Sequence, residues 1–206
     1  ERVTPTVRGP TVVSTALRTA LASASYRAAL AGKFGVGFSV LGVRRTVIPL
    51  LIVGKLDLAP RWIGVVFVVA ALVQGVLLLP AGRAVDQIGR KPMLLAGGGV
   101  TTIALAGLAF VHDAPTLLAA TVLFAVGASV LGVAPAAIVG DVVEGKGGTA
   151  VAVWQMASDL GSVIGPVGAG ALIQHGSFEL TLLVSAAVIG ACTLPGLRMP
   201  GRLSPG

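Results

Sequence analysis

The sequence predicts an all-α, polytopic membrane helix bundle with six transmembrane helices, and three observations lead there. First, of 206 residues 55% are hydrophobic and only 11% charged, with a mean hydropathy of +0.95. Soluble domains carry about 25% charged residues, so this chain lacks the ionic groups to cover a water-facing surface. Second, the apolar residues form continuous runs long enough to cross a hydrocarbon core of roughly 30 Å, which takes about 20 residues. Third, the net charge of +7 comes from short basic clusters between those runs, as orientation signals in membranes do. Together these exclude a water-soluble enzyme, a disordered chain and a nucleic-acid-binding module. The single cysteine, Cys192, leaves no internal disulfide framework.

Each element follows from the position of the charges. Uncharged runs of 21, 20, 27 and 18 residues lie between Arg61 and Arg83, Lys91 and His112, Asp113 and Asp141, and Glu179 and Arg198. Two more stretches contain charge: 34–54 holds Arg44 and Arg45, and 147–174 holds Asp159. The six expected spans are therefore 33–54, 61–81, 92–111, 115–140, 148–174 and 178–196. Barrel strands would alternate apolar and polar residues over about ten positions; these runs do not, and backbone groups in lipid must then be satisfied within helices. Residues 1–32 are polar and basic and read as a linker on the membrane surface, with an amphipathic helix over 11–30, and residues 197–206 as a tail.

The links are short and hold breakers: Asp57 to Pro60, Gly89 to Pro92, His112 to Pro115, Gly145 to Gly148, and His175 to Ser177. With the N-terminus inside, the inner side collects Arg2, Arg8, Arg18, Arg27, Lys33, Arg83, Arg90, Lys91, Lys146, Arg198 and Arg202, against Lys55 and Arg61 outside. That bias places both ends in the cytoplasm of a multi-pass protein.

The second inner loop reads Gly82-Arg83-Ala84-Val85-Asp86-Gln87-Ile88-Gly89-Arg90-Lys91. Gly82 and Gly89 permit close approach and positive φ. Asp86 has Arg90, Arg83 or a helix N-terminus as partners. This spacing resembles the G-x-x-x-D-x-x-G-R-K/R signature of the major facilitator superfamily, found after the second helix of a six-helix half. The resemblance implies a latch loop with Gly82, Arg83, Asp86, Gly89, Arg90 and Lys91, and a chain that is half of a twelve-helix transporter fold. In the fifth span, Gly161-Ser-Val-Ile-Gly165-Pro166-Val-Gly-Ala169-Gly170 is similar to the G-x-x-x-G-P-x-x-G/A-G pattern of the drug/proton antiporter branch. Small residues four apart also let helices approach, and Pro166 bends a helix, so close packing alone and a gating role both remain open. The fourth span has no basic residue, the first span follows a basic preamble, and the chain begins with Glu. These features favour the C-terminal half, with an N-terminal six-helix half as partner.

Ionisable groups inside a span are functional candidates. Arg44 or Arg45 and Asp159 both fall near mid-membrane, and are expected to line a polar cavity, either as a static ion pair or as a proton-responsive one. Gln155 shares the Asp159 face, Gln74 of the second span is a further cavity candidate, and Trp154 reads as packing. No metal-ligand spacing, P-loop or G-x-S-x-G is present, so neither cofactor nor enzyme activity is expected. The expected function is proton-coupled efflux of small apolar or amphipathic molecules across an inner (plasma) membrane. A non-transporting half that needs a partner is the alternative.

Overall fold

The computed structural model describes residues 18–143 and 148–200. They form six long helices: α1 (Ala24–Lys55), α2 (Arg61–Ile88), α3 (Arg90–Ala109), α4 (Ala114–Val143), α5 (Gly148–His175) and α6 (Phe178–Thr193). A 3-10 turn, Leu194–Arg198, follows α6. No strand occurs among the described residues. All six helical stretches, the sixth taken with its 3-10 turn as Phe178–Arg198, are long and apolar enough to cross a membrane.

The helices run past the apolar stretches that announce them. Residues 24–32, read as linker, are the first turns of α1. The charges that marked a boundary are accommodated there: Lys33 lies 4.3 Å over the ring of Trp154, its apolar stem covering the helix surface. The proposed surface helix over 11–30 lies partly outside the described residues; of its described part, 18–22 is a separate helical turn and 24–30 belongs to α1. Residues 1–17, 144–147 and 201–206, with Lys146, Arg202 and most of the Gly145–Gly148 link, also fall outside them. Hydropathy reports the lipid-facing length of a helix, and hydrogen bonding carries the backbone further on either side.

α1 is not uniform. Its Gly37–Val43 and Leu51–Lys55 portions are π-helical, on either side of an α-helical Arg44–Leu50 segment containing Pro49. Proline supplies no N–H to the ladder, and π-segments interrupt α-helices at such places. At the start of α4, the Asp113 carboxylate accepts the Thr116 N–H at 2.9 Å, satisfying an otherwise orphan donor. The Thr116 hydroxyl and N–H hold the Asp113 carboxyl below its ordinary range.

Packing is symmetric under exchange of the first three helices with the last three. α1 packs on α4; α2 rests on α4 as α5 rests on α1; α3 packs on α4 as α6 packs on α1; and α3 meets α6. α1 and α4 therefore form the centre, with Phe124, Leu117, Leu131 and Ile138 of α4 and Ile48 and Leu51 of α1 fully buried. α2 and α5 are the flanks: 11% and 22% of their apolar stretches are buried, against 56% for α4. Val65, Val68, Leu72, Val76 and Leu79 stripe the outer face of α2, and Met156, Leu160, Val163 and Val167 that of α5. In lipid such faces carry no hydrophobic penalty, and helix association rests on close packing and hydrogen bonds.

Candidate functional site

Two groups of candidate residues occupy different parts of the bundle. The first lies at the end where α1 begins and α6 finishes. α2 stays helical through Arg83 and Asp86 to Ile88, and a single residue, Gly89, breaks the chain before α3 starts at Arg90. Gly89 takes φ +111°, which a side chain would strain. Gly82 corrects the expectation of a glycine-shaped loop: it sits inside α2 with nothing within 4 Å of where a Cβ would lie. It neither needs positive φ nor mediates a close approach.

Arg90 is the hub of this end. Its Nε donates to Asp141 Oδ2 at 2.7 Å and its Nη2 to Oδ1 at 3.2 Å, a two-point contact with the end of α4. Its Nη1 lies 3.3 Å from Asp86 Oδ1. One guanidinium thus ties the last turn of α2, the first of α3 and the last of α4. Of the partners open to Asp86, the structure selects Arg90, while Arg83 is exposed and makes no ion pair among the described residues. Lys91 turns the other way: its Nζ donates to the carbonyls of Leu197 and Met199 at 2.9 and 2.8 Å, holding the turn after α6. From the sequence alone Asp141 marks only the boundary of an apolar run. The available signal was a lone carboxylate at the same end as the basic loop.

The second group lies along α1 and α5. A Cβ on Gly37 would overlap the Ser158 carbonyl, and one on Gly161 would overlap that of Phe34. A Cβ on Gly165 would stand 2.8 Å from the Phe38 carbonyl, and one on Gly42 3.0 Å from Pro166 Cδ. Gly161, Gly165 and Pro166 thus meet a reciprocal pair, Gly37 and Gly42, in the π-helical part of α1. The contact is stitched by the Tyr26 hydroxyl, which donates to the Ala150 carbonyl at 2.6 Å, and by the Trp154 indole N–H, which donates to the Ala29 carbonyl at 3.2 Å.

This register separates Asp159 from the arginines. Gly37 faces Ser158 while Gly42 faces Gly165 and Pro166, so Arg44 stands about seven residues beyond the level of Asp159, roughly 10 Å along the axis. Asp159 makes no salt bridge with Arg44 or Arg45 among the described residues. Its carboxylate is exposed, accepts a long 3.4 Å hydrogen bond from the Gln155 amide, and lies within electrostatic reach of Lys33. With Arg27, Leu30, Phe34, Met156 and Leu160 it lines an open groove of about 940 Å³ between α1 and α5.

Arg44 points toward α2 and α4, its guanidinium carbon 5.2 Å from the Phe67 ring centre and 5.8 Å from that of Phe124. Its Nε and Nη1, with Gln74 Nε2 and Thr121 Oγ1, are buried without hydrogen-bond partners among the described residues. Gln74 follows Val66 and Ala70 on the packed stripe of α2. Arg45, by contrast, is exposed. No group of His, Cys, Asp and Glu capable of holding a metal occurs among the described residues. At the opposite end Lys55 bridges Glu179 and the Ala109 carbonyl, closing α1 onto α6 and α3.

The sequence matches the Major Facilitator Superfamily over residues 34–202. It is 31% identical to the methyl viologen resistance protein SmvA of Salmonella typhimurium over 123 residues, 58% of this chain and 24% of that protein. It is 30% identical to the multidrug efflux pump LfrA of Mycolicibacterium smegmatis over 139 residues, 66% of this chain and 27% of the pump. An uncharacterized MFS-type transporter of Mycobacterium tuberculosis is 30% identical over 184 residues, 85% of this chain and 31% of that one. The chain thus spans about a quarter to a third of the length of these relatives. Six apolar helices, a charged hinge after the second and a small-residue seam on the fifth agree with this match, and the chain belongs to the Major Facilitator Superfamily.

Proposed function

We propose that the chain forms the C-terminal six-helix half of a secondary transporter that expels small apolar or amphipathic molecules by alternating access. The observation that carries this reading is the α1–α5 groove. Its walls are apolar except for Arg27 and Asp159, a lining suited to an apolar body with a polar or charged end, and poor in the many donors a sugar requires. The names of the relatives, methyl viologen resistance and multidrug efflux, support the same substrate class. The outer stripe of α2 supplies a surface on which an N-terminal half would pack.

In this reading the basic end faces the cytoplasm of a bacterial inner membrane, and the Arg90 hub is the latch. While Arg90 holds Asp141 and Asp86, the ends of α2, α3 and α4 move as one body; its release accompanies rocking of the half against its partner. Asp159 is the carboxylate proposed to exchange the driving proton. It sits among apolar side chains of the groove, within electrostatic reach of Lys33. Arg44, with donors unsatisfied beside α2 and α4, offers a second polar point for an acceptor on the substrate or the other half.

Cells carrying the gene product with this sequence should accumulate less of an amphipathic fluorescent cation than cells lacking it, and collapse of the proton gradient should erase the difference. Equal accumulation in both would contradict the transport reading. Efflux whose pH dependence survives Asp159→Asn unchanged would remove Asp159 from the coupling.

A further inference from the structure

A second cavity adjoins the proposed substrate groove at Arg27, which lines both. At the end where α1 starts and α6 finishes, Ala24, Arg27, Ala191, Leu194, Pro195 and Arg198 enclose about 480 Å³, within the range of ligand pockets, about 300–1,000 Å³. The chemistry is two-sided: two guanidinium groups from separate elements on one hand, small and apolar side chains on the other. Neither Arg27 nor Arg198 forms a salt bridge among the described residues.

Arg198 does not hang on a loose tail. Its turn is held by the two Lys91 hydrogen bonds to Leu197 and Met199. Met199 is buried, and Gly196 is packed so closely that a Cβ there would lie 3.2 Å from both Leu94 and Leu95. Beside it Leu194 and Leu197 stand exposed, at 58% and 57%. Arg27 is the fourth residue of α1, anchored by the buried Tyr26 next to it. Two exposed cations on anchored segments therefore face one cleft at a bundle end, with apolar side chains at its rim.

We propose that this cleft binds a phosphate group that carries no compensating cation of its own. Guanidinium groups grip phosphate through paired, charge-assisted hydrogen bonds. The apolar wall and the exposed leucines fit the glycerol and upper acyl region of an anionic phospholipid whose headgroup reaches Arg27 and Arg198. A free phosphate anion has the same head chemistry without the apolar part. Neither requires a transported substrate; the cleft shares Arg27 with the groove, whereas Arg198 lines the cleft and not the groove.

The test is native mass spectrometry of the full chain in detergent, titrated separately with phosphatidylglycerol, phosphatidylcholine and inorganic phosphate. Retention of phosphatidylglycerol about tenfold above phosphatidylcholine is expected, because each basic side chain near the surface favours anionic lipid by a few-fold. The Arg27→Gln/Arg198→Gln variant should lose that preference. Retention of inorganic phosphate by the wild type and not by the variant, with no preference between the lipids, would assign the cleft to free phosphate. Equal phosphatidylglycerol retention by wild type and variant would overturn the proposal. Hydrogen exchange of the wild-type chain reads the same cleft without any substitution. Residues 194–199 should be protected by phosphatidylglycerol or by phosphate and not by phosphatidylcholine, and no protection by either anion would also overturn it.

Discussion

The α1–α5 and α4–α2 contacts occupy equivalent places in the bundle, each a central helix carrying a flank, yet they are built on opposite principles. α1 and α5 meet backbone to backbone through Gly37, Gly42, Gly161 and Gly165. α4 and α2 have no such seam: Gly75, Gly82, Gly132 and Gly140 have nothing within 4 Å of a Cβ position. There polar groups of Arg44, Gln74 and Thr121 lie without hydrogen-bond partners among the described residues, and the ends are joined by Arg90, whose partners Asp86 and Asp141 are partly exposed. A backbone seam has one packed arrangement and resists sliding. An exposed ion pair over a polar interior can release and re-form at small cost. The difference assigns rigidity to one flank and mobility to the other.

The largest expected effect breaks the rigid flank. Gly37→Ala drives a methyl into the Ser158 carbonyl, and overpacking of this kind costs about 1–3 kcal/mol or more. Thermal unfolding of the purified chain should show a clear loss. Gly75→Ala, in open space on α2, should instead be neutral or stabilising by up to about 1 kcal/mol through helix propensity. Equal effects at the two glycines would erase the contrast.

The mobile flank should respond less. Arg90→Gln and Asp141→Asn each remove a partly exposed ion pair, and a double-mutant cycle should give a coupling of about 1 kcal/mol or less. The spacing of spin labels at the ends of α2 and α4 should nevertheless broaden. A coupling of several kcal/mol with unchanged spacing would make the hub a rigid strut. The smallest stability change is expected at Arg44→Met. Relief of buried, unpaired N–H groups, about 1–3 kcal/mol, offsets the lost ring contacts, about 0.5–2 kcal/mol. Unfolding should barely shift while efflux falls; a large destabilisation would make Arg44 a structural residue.

Much of this contrast was legible in the sequence. Helix number followed from charge-free runs, because charge is costly in lipid whatever the tertiary packing. Gly161, Gly165 and Pro166 stood out by their spacing, but Gly37 and Gly42 did not: they are five apart, and only the π-helical turn of α1 brings both onto the α5 face. The Arg90–Asp141 pair was hidden because it joins residues 51 positions apart, and periodicity carries no information at that range. The suggested pairing of Asp159 with Arg44 or Arg45 failed on register. Depth within a span places two charges at similar heights, but the glycine seam fixes the offset between helices, and it sets Arg44 above Asp159.

The α1–α5 groove is the surface on which the functional account depends most directly. In a Cys192→Ser background, Met156→Cys places a thiol on the exposed face of α5 beside Asp159. Its labelling by a water-soluble maleimide in native membranes, with and without an amphipathic cation, is the decisive measurement. The thiol should be labelled, and the cation should slow its labelling severalfold. A thiol that never reacts, or reacts at the same rate with the cation present, would contradict the assignment of this groove to the transported molecule.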